Sequence, residues 1–167
     1  MPDAGIQVKK MSTPSHPSDV TTSPAADCAF CKIARGEVSG SSVLEDQASL
    51  AFLDHRPLFP GHCLLIPREH FETLLDLPSG LAAALFLNAR LLAHAMELGL
   101  GAEGSFVAVN NRVSQSVPHF HIHIVPRRRK DGLKGFFWPR QKYKDDAARR
   151  EVQEALKSAI AQLRRGG

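Results

Sequence analysis

The sequence predicts an α+β fold, an antiparallel sheet of about five strands with one long helix and a second helix toward the C-terminus. Three observations predict it. Short runs of β-forming residues broken by Gly and Pro fill positions 42–67. Leucines then recur at helical spacing from Ser79 to about Leu98. Finally, "PHFHIHIVPR", Pro118 to Arg127, alternates His119, His121 and His123 with Phe120, Ile122 and Ile124. In an extended chain that alternation sends three imidazoles to one face and three apolar groups to the other.

Residues 1–26 are rich in Pro, Ser and Thr without apolar periodicity, which predicts a disordered tail. "CAFCKIARG" fits a short helical turn that Gly36 closes as a left-handed cap. Strands are expected at 42–46, 49–54 and 62–67, with "RPLFPG" as the turn between the second and third, forming an antiparallel meander. Ser79 is a natural N-cap for the long helix, Leu81, Leu85, Leu92 and Met96 line its packing flank, and Gly99 ends it. A strand at 105–110 leads through the polar loop "NNRVSQSV" into the histidine strand. "RRRKDGLKGFFWPRQKY" is too polar and broken for a regular element. Asp145 and Asp146 then open a last helix in which Val152, Leu156, Ile160 and Leu163 share a face, and Arg164 and Arg165 suit its negative end.

A chain of 167 residues with 43% hydrophobic content can bury one core, so its length argues for a single domain. The net charge of +4 fits an anionic ligand such as a nucleotide without establishing nucleic-acid binding. No apolar run reads as long enough to span a bilayer, and "MPDAGIQVKKM" is charged where a signal peptide is apolar, so a cytoplasmic protein is expected. Three cysteines cannot build a paired disulfide framework. Cys28 and Cys31 read as metal ligands or redox thiols, and Cys63 as a small core residue.

A row of imidazoles is expensive to pack, because each ring brings two nitrogens to satisfy, so it points to metal binding or phosphate chemistry. The segment "QSVPHFHIHIVPR" resembles the signature of the histidine triad family of nucleotide hydrolases and transferases. "CAFCKIARGE", "VLEDQASLAFLD", "PGHCLLIPREH" and "SFVAVNN" follow in that family's order over residues 27–127, leaving 128–167 as an extension with its own helix. The resemblance implies that His121 attacks the α-phosphorus of a nucleotide to form a nucleotidyl-imidazole, and that His123 meets a non-bridging oxygen. It implies that Gln115 and Ser116 donate to phosphate and leaving group, and that His62 is the fourth histidine beside the nucleophile. Asp54 would accept the ribose hydroxyls, and Phe30, Ile33 and Phe52 would wall the base, although periodicity alone would place them in the core. Two departures stand out. His55 occupies a position that is aliphatic in the family's small phosphoramidase branch, and the short loop before Gln115 leaves open whether Asn110 or Asn111 reaches the nucleotide.

Cys28 and Cys31 have the spacing of a zinc half-site, and no thioredoxin-like context supports the redox alternative. The resemblance supplies His70 and His119 as the remaining ligands of a structural zinc, with no open position for catalysis. It also implies a homodimer. Trp138, in "FFWP", invites comparison with a Trp-Pro that lies near the partner's site in the phosphoramidase branch; packing against the C-terminal helix is the alternative. The expected activity is hydrolysis or transfer of a nucleoside monophosphate from a phosphoanhydride or phosphoramidate. Removal of adenylate from nucleic-acid ends, with "RRRK" holding the backbone, is a second reading. A nucleotide-binding or zinc-scaffolded interaction protein with little turnover is a third.

Overall fold

The computed structural model describes residues 27–133 and 143–166, so the expectations placed on the N-terminal tail and on Trp138 lie outside the described residues. Contacts divide the chain into two units between Asp131 and Gly132, and each is described by itself.

The first unit begins with α1 (Ala29–Ala34), whose C-terminus is closed by Arg35 and by Gly36 at φ +74°, the left-handed conformation expected of it. Strands β1 (Ser42–Glu45), β2 (Ser49–Leu53) and β3 (Cys63–Pro67) form the antiparallel meander. A 3₁₀ turn at Leu74–Asp76, not foreseen in the sequence, is held by a capping box between Thr73 and Asp76. The long helix α2 (Ser79–Leu100), strand β4 (Gly104–Val109) and strand β5 (Ile122–Arg127) complete the unit. The five strands lie in the order β1-β2-β3-β5-β4, all neighbours antiparallel.

Helix α2 departs from expectation at both ends. Pro78 occupies the N-cap in an extended conformation and Ser79 is already helical. The helix passes Gly99 and stops at Gly101, whose φ of +63° turns the chain while its N–H bonds to the Glu97 carbonyl. Glycine inside a helix weakens it without ending it; the terminus falls where the left-handed turn forms. A second correction concerns membranes. At 22 residues and mean hydropathy 1.3, α2 is long and apolar enough to cross a bilayer by length and composition. Its alanines and leucines raise the average, while Leu85, Ala89, Leu92 and Met96 are spent on the sheet as one buried flank.

Strand alternation divides the buried side chains into two cores. On the α2 face Ala51, Cys63, Leu65, Ile122 and Ile124 join Phe120 and the helix flank. On the opposite face Leu50, Phe52, Leu64 and Ile66 pack against Cys28, Phe30 and Cys31 of the α1 segment. The register agrees: Leu65 pairs with Ile122 and with Ala51, whereas Leu64 pairs with His123 and with Phe52. The histidine row therefore belongs to the α1 face, and Cys63 is a core residue as expected.

The histidine segment is not wholly strand. Pairing begins at Ile122, and His119 to His121 run ahead of the ladder. Phe120 is tied instead by its N–H to the Phe71 carbonyl at 2.5 Å. In the second unit α3 (Asp146–Gly166) starts where expected, with the Asp145 carboxylate accepting from the Ala148 N–H. Val152, Leu156, Ile160 and Leu163 are all exposed on it.

Candidate active site and metal centre

The α1 face collects the residues singled out above. Phe30 packs edge-on against Phe52 at 5.5 Å between ring centroids and against His121 at 5.2 Å. His121 and His123 are 4.9 Å apart, and His62 lies 5.2 Å from His123. Ile33 is half-buried against the apolar cluster that holds Phe30 and Phe52. His62 reaches this position because Gly61, at φ +97°, turns the chain into β3; a Cβ there would meet the Leu100 side chain.

The hydrogen bonds assign a proton to each ring. His121 Nδ1 lies 2.7 Å from the His119 carbonyl, which can only accept, so Nδ1 carries the proton and Nε2 the lone pair. The Leu58 N–H points at His62 Nδ1, 3.3 Å away, which puts the His62 proton on Nε2. That proton faces His123 Nδ1 at 3.0 Å, leaving His123 protonated on Nε2, where no described residue accepts it. The result is an unprotonated Nε2 on His121 beside an N–H donor on His123. Asp54 stands next to this pair, 3.5 Å from His62 Nδ1, with its other oxygen accepting from the Arg56 N–H. His55 is exposed and 3.6 Å from the same carboxylate, at the outer rim of the site.

Of the two asparagines, Asn111 gives its carbonyl oxygen to the Leu74 N–H at 2.8 Å. The Asn110 amide makes no such bond among the described residues, which leaves it as the one free to meet a ligand. Ser116 is exposed ahead of the histidine segment. Gln115 is not free: its oxygen accepts from the Arg112 N–H at 2.7 Å and its nitrogen donates to the Glu72 carbonyl at 2.6 Å.

Cys28, Cys31, His70 and His119 form a second cluster whose candidate ligand atoms all lie within 4.8 Å of one another. Cys28 Sγ is 3.5 Å from His119 Nδ1, and Cys31 Sγ is 3.4 Å from the same atom and 3.3 Å from His70 Nδ1. A tetrahedral zinc with Zn–S of about 2.3 Å and Zn–N of about 2.0–2.1 Å separates sulfur and nitrogen by about 3.5 Å, so the set fits that ion. The tautomer fits as well. His119 Nε2 donates to the Pro67 carbonyl at 3.0 Å, turning the Nδ1 lone pair toward the thiols. His70 Nε2 is buried without a partner, a cost that a strong bond at Nδ1 would offset. Burial pushes the bare Cys31 thiol up to about 11, and a cation reverses that preference by binding the thiolate.

Several supporting residues carried no sequence signal. Arg68 ties the α1 segment to the sheet, bonding the Ala34 and Asp46 carbonyls and the Glu45 carboxylate. The Leu58 N–H is backbone and invisible in side-chain patterns.

Burial depresses the imidazoles. His123 falls to about 4, through burial and then through His121 and His62, and His62 is lowered by burial against the opposing pull of Asp54. An unfolded histidine takes its proton near pH 6.5. Between pH 6.5 and about 4 the unfolded chain therefore binds more protons than the folded one, and stability must fall as pH falls through that window. The slope is up to about 1.4 kcal/mol per pH unit per histidine. Thermal melts at descending pH should show this loss, and His123→Asn should make it shallower. An unchanged melting temperature from pH 7.5 to 4.5 would contradict the assignment.

Comparison with known proteins supports the architecture. The HIT domain family model matches residues 35–130. The adenylylsulfatase HINT3 of Arabidopsis thaliana is 39% identical over 109 residues, covering 64% of this chain and 55% of the plant protein. Adenosine 5'-monophosphoramidase HNT1 of Saccharomyces cerevisiae is 35% identical over 119 residues, covering 70% of this chain and 72% of the yeast protein. Among solved structures, a zinc-bound histidine triad family protein from Mycobacterium smegmatis superposes with a TM-score of 0.64 at 33% identity, covering 86% of this chain and all of the other. The residues that form the two cores and both histidine clusters thus lie largely within a shared domain, and the chain belongs to the HIT family.

Proposed function

We propose that this protein is a nucleotide hydrolase that cleaves at the α-phosphate of a nucleoside phosphoanhydride or phosphoramidate through a nucleotidyl-histidine intermediate. The observation that carries the proposal is the 2.7 Å bond from His121 Nδ1 to the His119 carbonyl, which leaves a neutral, oriented lone pair on Nε2. The names of the plant and yeast relatives, an adenylylsulfatase and a monophosphoramidase, fit the same bond class.

In this reading the base lies against Phe30, Ile33 and Phe52, Asp54 takes the ribose hydroxyls, and Asn110 meets the ribose or phosphate. The His121 Nε2 lone pair attacks phosphorus, forming a P–N bond as the bond to the leaving group breaks. The leaving group departs with the bonding electrons and takes a proton from solvent, and the exposed Ser116 hydroxyl donates a hydrogen bond to it in this reading. Water then attacks the same phosphorus and gives up one proton to solvent, the P–N electrons return to Nε2, and a nucleoside monophosphate is released. Through both steps the His123 Nε2–H donates to a non-bridging oxygen, where negative charge grows in the transition state.

Zinc bound by Cys28, Cys31, His70 and His119 would be structural, since the chain's own residues fill four positions. Those residues join α1 to the strand end at Pro67 and to the histidine segment. In "RRRK" Arg127 pairs with Asp131 and Arg128 donates to the Leu100 carbonyl, while Arg128, Arg129 and Lys130 are exposed, Arg129 standing 3.5 Å from Glu103 at the surface. A second copy of the chain is the proposed partner, seated on edge strand β4 with exposed Phe106 and Val107 and on the exposed Phe86, Leu87 and Leu91 of α2.

The covalent step is tested by His121→Ala, which should lower turnover by several orders of magnitude, up to about 10⁶, while nucleotide affinity persists. More than a tenth of wild-type turnover on the best substrate would sink it. Elemental analysis should find about one zinc per chain, and Cys31→Ser should lower the melting temperature; a metal-free protein of unchanged stability would argue otherwise. Sedimentation is expected to give twice the 18.3 kDa chain mass, and Phe106→Glu to reduce it toward a monomer.

A further inference from the structure

We propose that Asn111 and Gln115 are positioning residues, a pair of anchors that tie the loop ahead of the catalytic histidines to the segment following the metal ligand His70. The inference rests on the hydrolase reading above and deepens it. Family resemblance alone would make Gln115 a donor to phosphate. Here both ends of its amide are committed, the oxygen to the Arg112 N–H and the nitrogen to the Glu72 carbonyl at 2.6 Å. To reach a phosphate it would have to abandon the Glu72 bond.

The loop between the anchors explains why they are needed. Arg112 and Ser114 sit at φ +65° and +60°, the left-handed region that costs free energy for any residue with a Cβ. Such a conformation persists only where its surroundings over-determine it. Asn111 immediately precedes this strained turn and binds the Leu74 N–H; Gln115 immediately follows it and binds Glu72. The receiving segment is itself rigid. Thr73, 2% exposed, and Asp76 lock it with a reciprocal capping box, and the Phe71 carbonyl receives the Phe120 N–H. One short stretch, residues 70–74, thereby holds a metal ligand, both loop anchors and the start of the histidine segment. The geometry that results is the direction in which Ser116 and the backbone before His119 face the phosphate.

A positioning role predicts a pattern that direct donation does not. Asn111→Leu keeps the volume and loses the acceptor, and it should lower kcat by about ten- to a hundredfold, the scale of a misplacement near 1 Å. The loss should be equal for adenosine phosphoramidates and diadenosine polyphosphates of differing leaving-group pKa, with KM little changed. Asn111→Asp retains the acceptor for Leu74 and should restore most of the rate. Gln115→Met should resemble Asn111→Leu, and the double variant should be no slower than the worse single one. Zinc content and melting temperature of each variant verify that the fold is retained. Hydrogen exchange at the Leu74 amide gives a reading independent of turnover: protected in the wild type, faster in Asn111→Leu. Wild-type kcat in Asn111→Leu, unaltered Leu74 exchange, or a loss confined to poor leaving groups in Gln115→Met would each overturn the proposal. A wild-type protein that turned over no member of the panel would instead defeat the hydrolase reading, while the exchange measurement would still decide whether the anchor exists.

Discussion

Burying an imidazole is tolerable only when each ring nitrogen has a use, and this constraint organises the α1 face of the sheet. His119 is fully buried and His62 and His121 nearly so, and in each case a hydrogen bond to or from the main chain fixes where the proton sits. Main-chain partners cannot titrate or rotate away. They convert a row of interchangeable side chains into rings with distinct tasks: His119 turned toward the thiols, His121 toward the phosphorus in the proposed reaction, and His123 supplied with its tautomer by His62.

The apolar half of the same segment makes that arrangement possible. Phe120, Ile122 and Ile124 are essentially inaccessible to solvent and lock the segment onto α2, so the imidazoles on the other face cannot slip by a residue without exposing the whole core. Packing enforces register, and register enforces chemistry. The metal cluster would add a second constraint, joining the α1 segment, which carries Phe30 and Ile33, to the residues on which His121 depends.

Low pKa values follow from the same burial. A site that keeps His123 neutral down to about pH 4 holds a hydrogen-bond donor on it without a fixed positive charge. An anionic substrate then meets neutral donors whose interaction with phosphate grows as charge develops, which favours the transition state over the ground state. The strained turn at Arg112 and Ser114 belongs to the same economy of fixed geometry.

The meander, the long helix, the histidine row and the cysteine pair were legible in the sequence, because period-two alternation, helical spacing and Gly/Pro punctuation are local properties of the chain. Even there, local signals placed the ends of α2 poorly: Ser79 and Gly99 have the right chemistry for caps, yet Ser79 is already helical and the helix runs on to Leu100, ending at the left-handed turn of Gly101. The commitment of Gln115 to Glu72 and the distinction between Asn110 and Asn111 were decided only by the fold. Each depends on a backbone donor or acceptor brought close from far along the chain, and every residue but proline carries the same pair. The sequence by itself therefore determined which side chains face the site; the tertiary structure decided which lone pairs and protons remain free there, since that depends on main-chain partners the sequence does not distinguish.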